Sequence, residues 1–238
     1  MAPPMTYRQF IAALRAEGLT VIEEKTGGKS PEHHNRNHKG PWGPVHGVLI
    51  HHTVTKGHDR TVAICRTGYA SLPGPLCHGV ICKAGHIHVV GYGRTNHAGT
   101  GDADVLRAVK AESYATRPPH PNANTVDGNP HFYGFECENE GDGKDPWPEA
   151  QKEAIKRAAT AVCRHHRWTG RSVIGHLEWQ AGKVDPRGLS MTGVRSAVDK
   201  RLKPKPKPAP PAPAPRTKDQ EQDARLTALE KAVDALGD

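Results

Sequence analysis

Two histidines and an aspartate in this 238-residue chain are of the types that hold a catalytic metal ion. His51 ends an apolar run, and His176 is followed seven residues later by Lys183 and then, two residues on, by Asp185. Catalytic zinc takes three protein ligands of these types and leaves a fourth position for water. We therefore expect His51, His176 and Asp185 to form a zinc site.

The elements that must position these residues alternate between strands and helices. Strands are expected from apolar or alternating runs at 45–53, 78–83, 86–91, 131–138 and 172–176. Helices are expected at 7–17, 59–66, 102–112, 148–168 and 191–202. Such interleaving predicts an α/β fold with a mixed central β-sheet flanked by helices, followed by a proline-rich linker and a short C-terminal helix.

Three sequence runs, in this order, resemble a known enzyme family: Leu49–Thr53, Tyr133–Glu138 and Gly175–Pro186. They are similar to the zinc-dependent N-acetylmuramoyl-L-alanine amidases of type 2, which include phage endolysins and peptidoglycan recognition proteins. The resemblance extends over roughly 45–202. It implies zinc as cofactor, His51, His176 and Asp185 as its ligands, and cleavage of the amide between N-acetylmuramic acid and L-alanine in peptidoglycan.

The resemblance also implies roles for four other residues. Glu136 matches the glutamate that accepts a proton from the attacking water in the bacterial amidases. Lys183 matches a lysine found in many active members, where a cation would stabilise the oxyanion. Asn96 and His97 resemble a loop that flanks the substrate groove, and we expect them to contact substrate.

One position departs from the family pattern. Many members carry a tyrosine immediately before the histidine that opens the second strand, and this chain has Cys77 before His78. A thiol cannot replace a phenol in orienting water, so we expect Glu136 to act as the base, with His78 and Glu138 as alternatives.

Other histidines and cysteines are assigned no chemistry. Neighbouring strand residues point to opposite faces, so His52 is expected to pack rather than to bind the metal. His86 and His88 share a strand face and could bind a metal, but with no third ligand near in sequence they are expected to be surface histidines. The five cysteines are an odd number and favour reduced, mostly buried thiols over a disulfide framework.

Charge and composition limit the partners. The net charge of +8 suits a polyanion, which could be nucleic acid or an anionic wall polymer, and the charge alone does not decide. The amidase resemblance favours peptidoglycan as the partner, together with anionic wall polymers, and no nucleic acid.

No run reaches the roughly 20 apolar residues of a membrane span, and no signal peptide is visible at the N-terminus. We expect synthesis in the host cytoplasm and action on the wall after release.

Composition divides the chain into four predicted parts: an N-terminal helix and loop extension (1–44), the amidase domain (45–202), a Pro/Lys linker (203–216) and a short amphipathic helix (217–238). The last part has heptad spacing at Leu226, Leu229, Val233 and Leu236. This stripe is either a surface for self-association or for a wall target, or a frayed, solvated end.

The predicted function is that of a phage endolysin that acts in host lysis. Two alternatives remain open. A non-catalytic peptidoglycan recognition module would keep the groove without catalysis, and a nucleic-acid-binding protein would explain the charge but not the His51, His176, Lys183 and Asp185 set.

Overall fold

A six-stranded sheet lies at the centre of the computed structural model, which describes residues 2–204 and 225–228. The strands within 2–204 are β1 (Val21–Glu23), β2 (Gly47–His52), β3 (Gly68–Tyr69), β4 (Leu72–Pro73), β5 (Gly79–Ile81), β6 (Ile87–Val89), β7 (Thr100–Gly101), β8 (Val126–Asp127), β9 (Phe132–Cys137) and β10 (Val173–Gly175). The α-helices are α1 (Tyr7–Ala16), α2 (His58–Thr67), α3 (Ala103–Ala111), α4 (Glu149–His166), α5 (His176–Trp179) and α6 (Met191–Leu202).

The central sheet has the strand order β1-β6-β5-β9-β2-β10. Neighbouring strands are parallel except for the antiparallel hairpin of β5 and β6. Two small two-stranded sheets, β3-β4 and β7-β8, lie outside it. The predicted α/β class with a mixed central sheet is confirmed.

Side-chain alternation in β2 gives the two faces of the sheet different neighbours. Val48 and Ile50 belong to the core cluster that includes residues of α1, α4 and α6. Leu49 belongs to a second cluster with residues of α3 and with Trp179. Because residues two apart share a face, His51 lies on the Leu49 side and His52 on the other.

The N-terminal helix packs into the main core. Thr6 and Gln9 form a capping box that begins α1, and Phe10 and Leu14 are fully buried in the cluster that also contains residues of α4. Residues 2–44 therefore contribute to the same core as the later strands. The predicted domain boundary at residue 45 stays a prediction.

The parallel strands bring their carboxyl ends to one edge of the sheet. His51 is paired with Glu136 across β2 and β9, and Gly175, which precedes His176, is paired with Ile50. In open α/β sheets, ligands bind outside the carboxyl ends of the strands. The predicted site residues thus gather at the edge where such folds place their ligands.

The C-terminal part is described only at 225–228, which is helical and carries an exposed Leu226. Most of the predicted linker and helix lies outside the described residues, and so do Leu229, Val233 and Leu236. Within the described ranges, no helix has the length and apolar character needed to cross a membrane.

Candidate metal centre and active site

The three predicted metal ligands converge at the strand ends. His51 Nδ1 lies 3.0 Å from His176 Nδ1 and 3.2 Å from Asp185 Oδ2, and His176 Nδ1 lies 3.0 Å from the same oxygen. All three residues are buried. A tetrahedral zinc ion with bonds of 2.0–2.1 Å would hold its ligand atoms about 3.3 Å apart, so the spacing fits a metal of this size.

A chain of hydrogen bonds determines which nitrogen of His51 carries the proton. The carbonyl of Phe132 can only accept, so His97 donates to it from Nε2 at 3.2 Å. The Nδ1 of neutral His97 is then an acceptor, 3.1 Å from His51 Nε2. His51 therefore carries its proton on Nε2, and its Nδ1 presents a lone pair to His176 and Asp185.

His176 is oriented in the same way. Its Nε2 donates to Oε1 of Gln180, 3.0 Å away and one helical turn further on, which leaves Nδ1 without a proton. Two nitrogen lone pairs and a carboxylate oxygen thus face one another at about hydrogen-bond distance with no proton between them. Such an arrangement is repulsive unless a cation lies among the three atoms, and this donor set fits zinc.

The protonation state of His51 agrees with a ligand role. Burial, with a further contribution from neighbouring His176, lowers the pKa of His51 from its ordinary 6.5 to about 4. Since a metal ligand must be the neutral imidazole, His51 is ready to bind metal throughout the neutral pH range.

The turn that carries His176 is anchored on both sides. The amide of Leu177 donates to the carbonyl of Asp185 at 2.7 Å, which closes the intervening loop. Glu178 accepts a bidentate pair of hydrogen bonds from Arg195 at 2.8 and 2.9 Å, with both side chains buried. Glu178 also accepts from the amide of Gly175, so one carboxylate links α6, α5 and the end of β10.

Glu136 lies beside the ligand cluster. Its Oε1 is 4.0 Å from His51 Nδ1, and its Oε2 is buried without a hydrogen-bond partner among the described residues. Burial, followed by the neighbouring Cys65 and Asp185, raises the pKa of Glu136 well above its usual value. A desolvated carboxyl beside a metal cluster is the environment in which general bases are found.

The cluster opens into a cavity of about 310 Å³. Lys183 and Asn96 line this cavity together with Glu136 and the three ligand residues. Lys183 is exposed, so its ammonium group is free to approach a substrate in the cavity. His97 also lines the cavity, but both of its ring nitrogens are engaged within the protein, and its predicted substrate contact stays a prediction.

The alternative bases lie in other environments. His78 uses both ring nitrogens, one with the carbonyl of Gly93 and one with the amide of Gly134. Glu138 accepts from the amide of Lys83 in the β5–β6 turn. Cys77 is fully buried beside Cys65, and burial raises the pKa of its thiol well above the ordinary value. None of these side chains faces the ligand cluster as Glu136 does.

Two sequence interpretations of other histidines have different outcomes. His52 is buried on the opposite strand face and accepts from the amide of Arg187, as expected for a packed residue. The interpretation of His88 as a surface histidine is wrong: its side chain is only 6% exposed, and the ring of His58, at the start of α2, packs against it. His86, in the hairpin turn, is exposed as expected.

Sequence reasoning missed the residues that support the ligands. Gln180 stands four residues after His176, a spacing that would have signalled the contact if a helical turn had been predicted there. The Glu178–Arg195 pair joins elements 17 residues apart, and no local pattern marks it.

The structure thus combines an α/β domain with a His-His-Asp cluster that could hold a metal ion and a buried glutamate, all at the strand ends. The family model of N-acetylmuramoyl-L-alanine amidases matches residues 41–188. The chain therefore belongs to the N-acetylmuramoyl-L-alanine amidase family.

Solved structures similar to this chain carry amidase names. The endolysin amidase LysCS from Clostridium intestinale is 12% identical, with a TM-score of 0.46, over 76% of this chain and 95% of that chain. AmpDh3 from Pseudomonas aeruginosa, in complex with an anhydromuramic pentapeptide, is 22% identical, with a TM-score of 0.45, over 64% and 59%. AmiD from E. coli, in complex with the substrate anhydro-N-acetylmuramic acid-L-Ala-D-gamma-Glu-L-Lys, is 16% identical, with a TM-score of 0.44, over 69% and 60%. Comparison with curated proteins gave no significant match.

Proposed function

We propose that this protein is a zinc-dependent peptidoglycan hydrolase that cleaves the amide between N-acetylmuramic acid and L-alanine. Membership of the amidase family supports the reaction. The observation that carries the zinc dependence is the proton-free contact of His51 Nδ1, His176 Nδ1 and Asp185 Oδ2, all within 3.2 Å of one another.

Zinc, when bound by these three residues, would supply a Lewis acid that polarises the scissile carbonyl and acidifies water. The protein's own contribution begins with orientation. His97 and Gln180 hold the two imidazole rings with their Nδ1 lone pairs toward the cavity. Such supporting hydrogen bonds raise ligand basicity and fix the tautomer.

Glu136 is proposed to accept the proton of the attacking water and to return it to the amine that leaves with L-alanine. Without a bound metal ion, burial raises the pKa of Glu136 by more than the nearby Lys183 lowers it. A neighbouring positive charge lowers a carboxyl pKa, so the base becomes available once the site is loaded. Lys183, on the cavity wall, is proposed to stabilise the oxyanion that develops at the carbonyl oxygen.

A module that only binds peptidoglycan would need neither Glu136 nor Lys183. A buried, unpartnered carboxylate oxygen is costly, since polar groups without partners lose their hydration. The retention of Glu136 next to the ligands favours catalysis over peptidoglycan recognition alone.

The wider biological role is also a proposal. We propose a phage endolysin made in the host cytoplasm, with the net charge of +8 aiding attraction to anionic wall polymers. Expression in a host cell should cause lysis only when a pore-forming partner or a permeabilising agent is supplied. Lysis without either would contradict this role while leaving the hydrolase assignment untouched.

The catalytic assignment is tested by Glu136→Gln, with Glu138→Gln as the matched control on the same strand. Glu136→Gln should retain zinc and wall binding and lose about 10²-fold or more in turnover, the usual contribution of a general acid–base group. Glu138→Gln should keep turnover, because the amide oxygen can still accept from Lys83. Near-wild-type turnover in Glu136→Gln, with loss in Glu138→Gln, would move the base to Glu138.

A further inference from the structure

A second group of metal-ligating side chains lies away from the proposed active site. Among the described residues, His58, Cys82 and His88 present ligand atoms that all lie within 4.8 Å of one another. They come from three elements: His58 begins α2, Cys82 follows β5, and His88 lies in β6. The rings of His58 and His88 are in edge-on contact, with centroids 4.4 Å apart.

The hydrogen bonds of His88 point to a missing partner. Its Nδ1 lies 2.8 Å from Oε1 of Glu24, whereas its Nε2 is buried and has no hydrogen-bond partner in the part of the chain that is described. Because Nδ1–H donates to the carboxylate, the unpaired Nε2 of the neutral ring is a lone pair. A buried lone pair without a donor or a cation is costly.

Glu24 gives His88 the support typical of a metal ligand. A ligating histidine usually donates its second nitrogen to a carboxylate, which fixes the tautomer and strengthens the ligand. Glu24 is itself held between His88 and Arg66 of α2, whose Nη1 lies 3.8 Å from Glu24 Oε2. The carboxylate is thus fixed in place before any metal binds.

The donor set and the exposure decide the class of ligand. Two imidazoles and one thiol favour zinc and similar divalent transition metals over calcium or magnesium, which prefer oxygen. Bond lengths of 2.0–2.3 Å would bring the ligand atoms to roughly 3.3–3.6 Å from one another, so the cluster must contract by about an ångström. The side chain of His58 is 41% exposed and can make this movement.

We infer that His58, Cys82 and His88 form a second zinc-class metal site, which links the start of α2 to the β5–β6 hairpin. The site does not depend on the proposed function, because it shares no residue with the His51 cluster. Its effect would be to fix α2 against the sheet, where Val62 and Cys65 already pack on Cys77, Val80 and Val90.

Cobalt provides a spectroscopic test, because the two sites differ in one donor. Only the second site contains a thiol, and a thiolate bound to Co²⁺ gives a charge-transfer band in the near ultraviolet. The full-length protein loaded with Co²⁺ should show this band. Cys82→Ser should abolish it, and Cys163→Ala, a buried-thiol control in α4, should keep it. A band that is absent from the wild type, or that persists in Cys82→Ser, would overturn the inference.

Zinc stoichiometry provides the second test. His176→Ala, which disables the proposed catalytic site, should still retain about one zinc equivalent after dialysis. Adding His58→Asn, at a partly exposed position outside the hydrophobic core, should remove that equivalent, whereas adding His86→Gln should not. If His176→Ala retains no zinc, the second site is wrong and the catalytic site stands. If His176→Ala retains two equivalents, the catalytic assignment fails instead.

Discussion

Substitution of His97 tests whether its hydrogen bonds fix the tautomer of the metal ligand His51. Its Nδ1 accepts from His51 Nε2 at 3.1 Å, and its own Nε2 donates to the carbonyl of Phe132. His97→Phe replaces the imidazole by a phenyl ring, which fills the space but makes neither hydrogen bond. His51 then has no acceptor for its Nε2 proton and can place the proton on Nδ1, the atom proposed to bind zinc.

The expected magnitude follows from the burial of this contact. A buried donor left without an acceptor costs about 1–3 kcal/mol. Loss of a supporting hydrogen bond to a zinc ligand typically lowers metal affinity about 10- to 100-fold, or roughly 1.4–2.8 kcal/mol. The two estimates agree, so we expect zinc affinity at the catalytic site to fall by one to two powers of ten.

A second substitution reaches the same contact by steric means. A Cβ atom on Gly134 would lie 2.4 Å from His97 Nδ1, so Gly134→Ala must displace the imidazole from His51. Asn96→Ala is the control: Asn96 lines the cavity but makes no hydrogen bond with a proposed ligand. It should leave zinc affinity unchanged and raise KM for wall fragments.

The assay is competition with a chromophoric zinc chelator, carried out in a Cys82→Ser background so that only the catalytic site contributes. Thermal unfolding of the metal-free variants establishes that each is folded. If folded His97→Phe and Gly134→Ala both bind zinc as tightly as the parent, His97 does not fix the tautomer of His51.

Three further predictions concern charge and proton balance. Lys183→Ala should lower turnover about 10²-fold through the lost oxyanion contact while zinc is retained, as measured by steady-state kinetics and metal analysis; unchanged turnover would exclude Lys183 from the reaction. Arg195→Met leaves the Glu178 carboxylate buried without its cation and should lower the free energy of unfolding, measured in urea, by about 3–5 kcal/mol. Adding Glu178→Gln to Arg195→Met should restore part of this stability. Losses that simply add in the double variant would contradict the pairing. Burial lowers the pKa of His78 to about 4. As the pH falls below about 6.5, His78 is therefore protonated in the unfolded chain before it is protonated in the folded protein. At about pH 5 this difference should lower the free energy of unfolding by about 2 kcal/mol. His78→Gln should lose correspondingly less stability between pH 7 and pH 5, and an identical loss would show that His78 is not the responsible group.

The sequence was sufficient for the fold class and for the approximate positions of the main elements. Apolar runs marked β2 and β9, and the helical spacing of 148–168 marked α4, because local periodicity reflects burial directly. His51 and Glu136 could be assigned to strand ends on the same grounds. Their adjacency depends on the pairing of β2 with β9, which local periodicity does not predict.

The supporting contacts could not be predicted, because they depend on side chains brought together from distant segments. His97 reaches His51 only because Gly134, on the strand beside β2, has no side chain to fill the space. His58, Cys82 and His88 converge from α2, the turn after β5, and β6. Neither set has a spacing that a sequence pattern would detect.

The proposed amidase reaction can be tested by digesting purified cell walls and measuring the product ends chemically. The proposed reaction must release new free amino groups of N-terminal L-alanine and no new reducing sugar ends. A chelator should abolish this release, added zinc should restore it, and His176→Ala should not respond to zinc. Alanine amino groups that appear at the same rate in the presence of chelator would contradict the zinc dependence, and reducing ends in their place would contradict the amidase reaction.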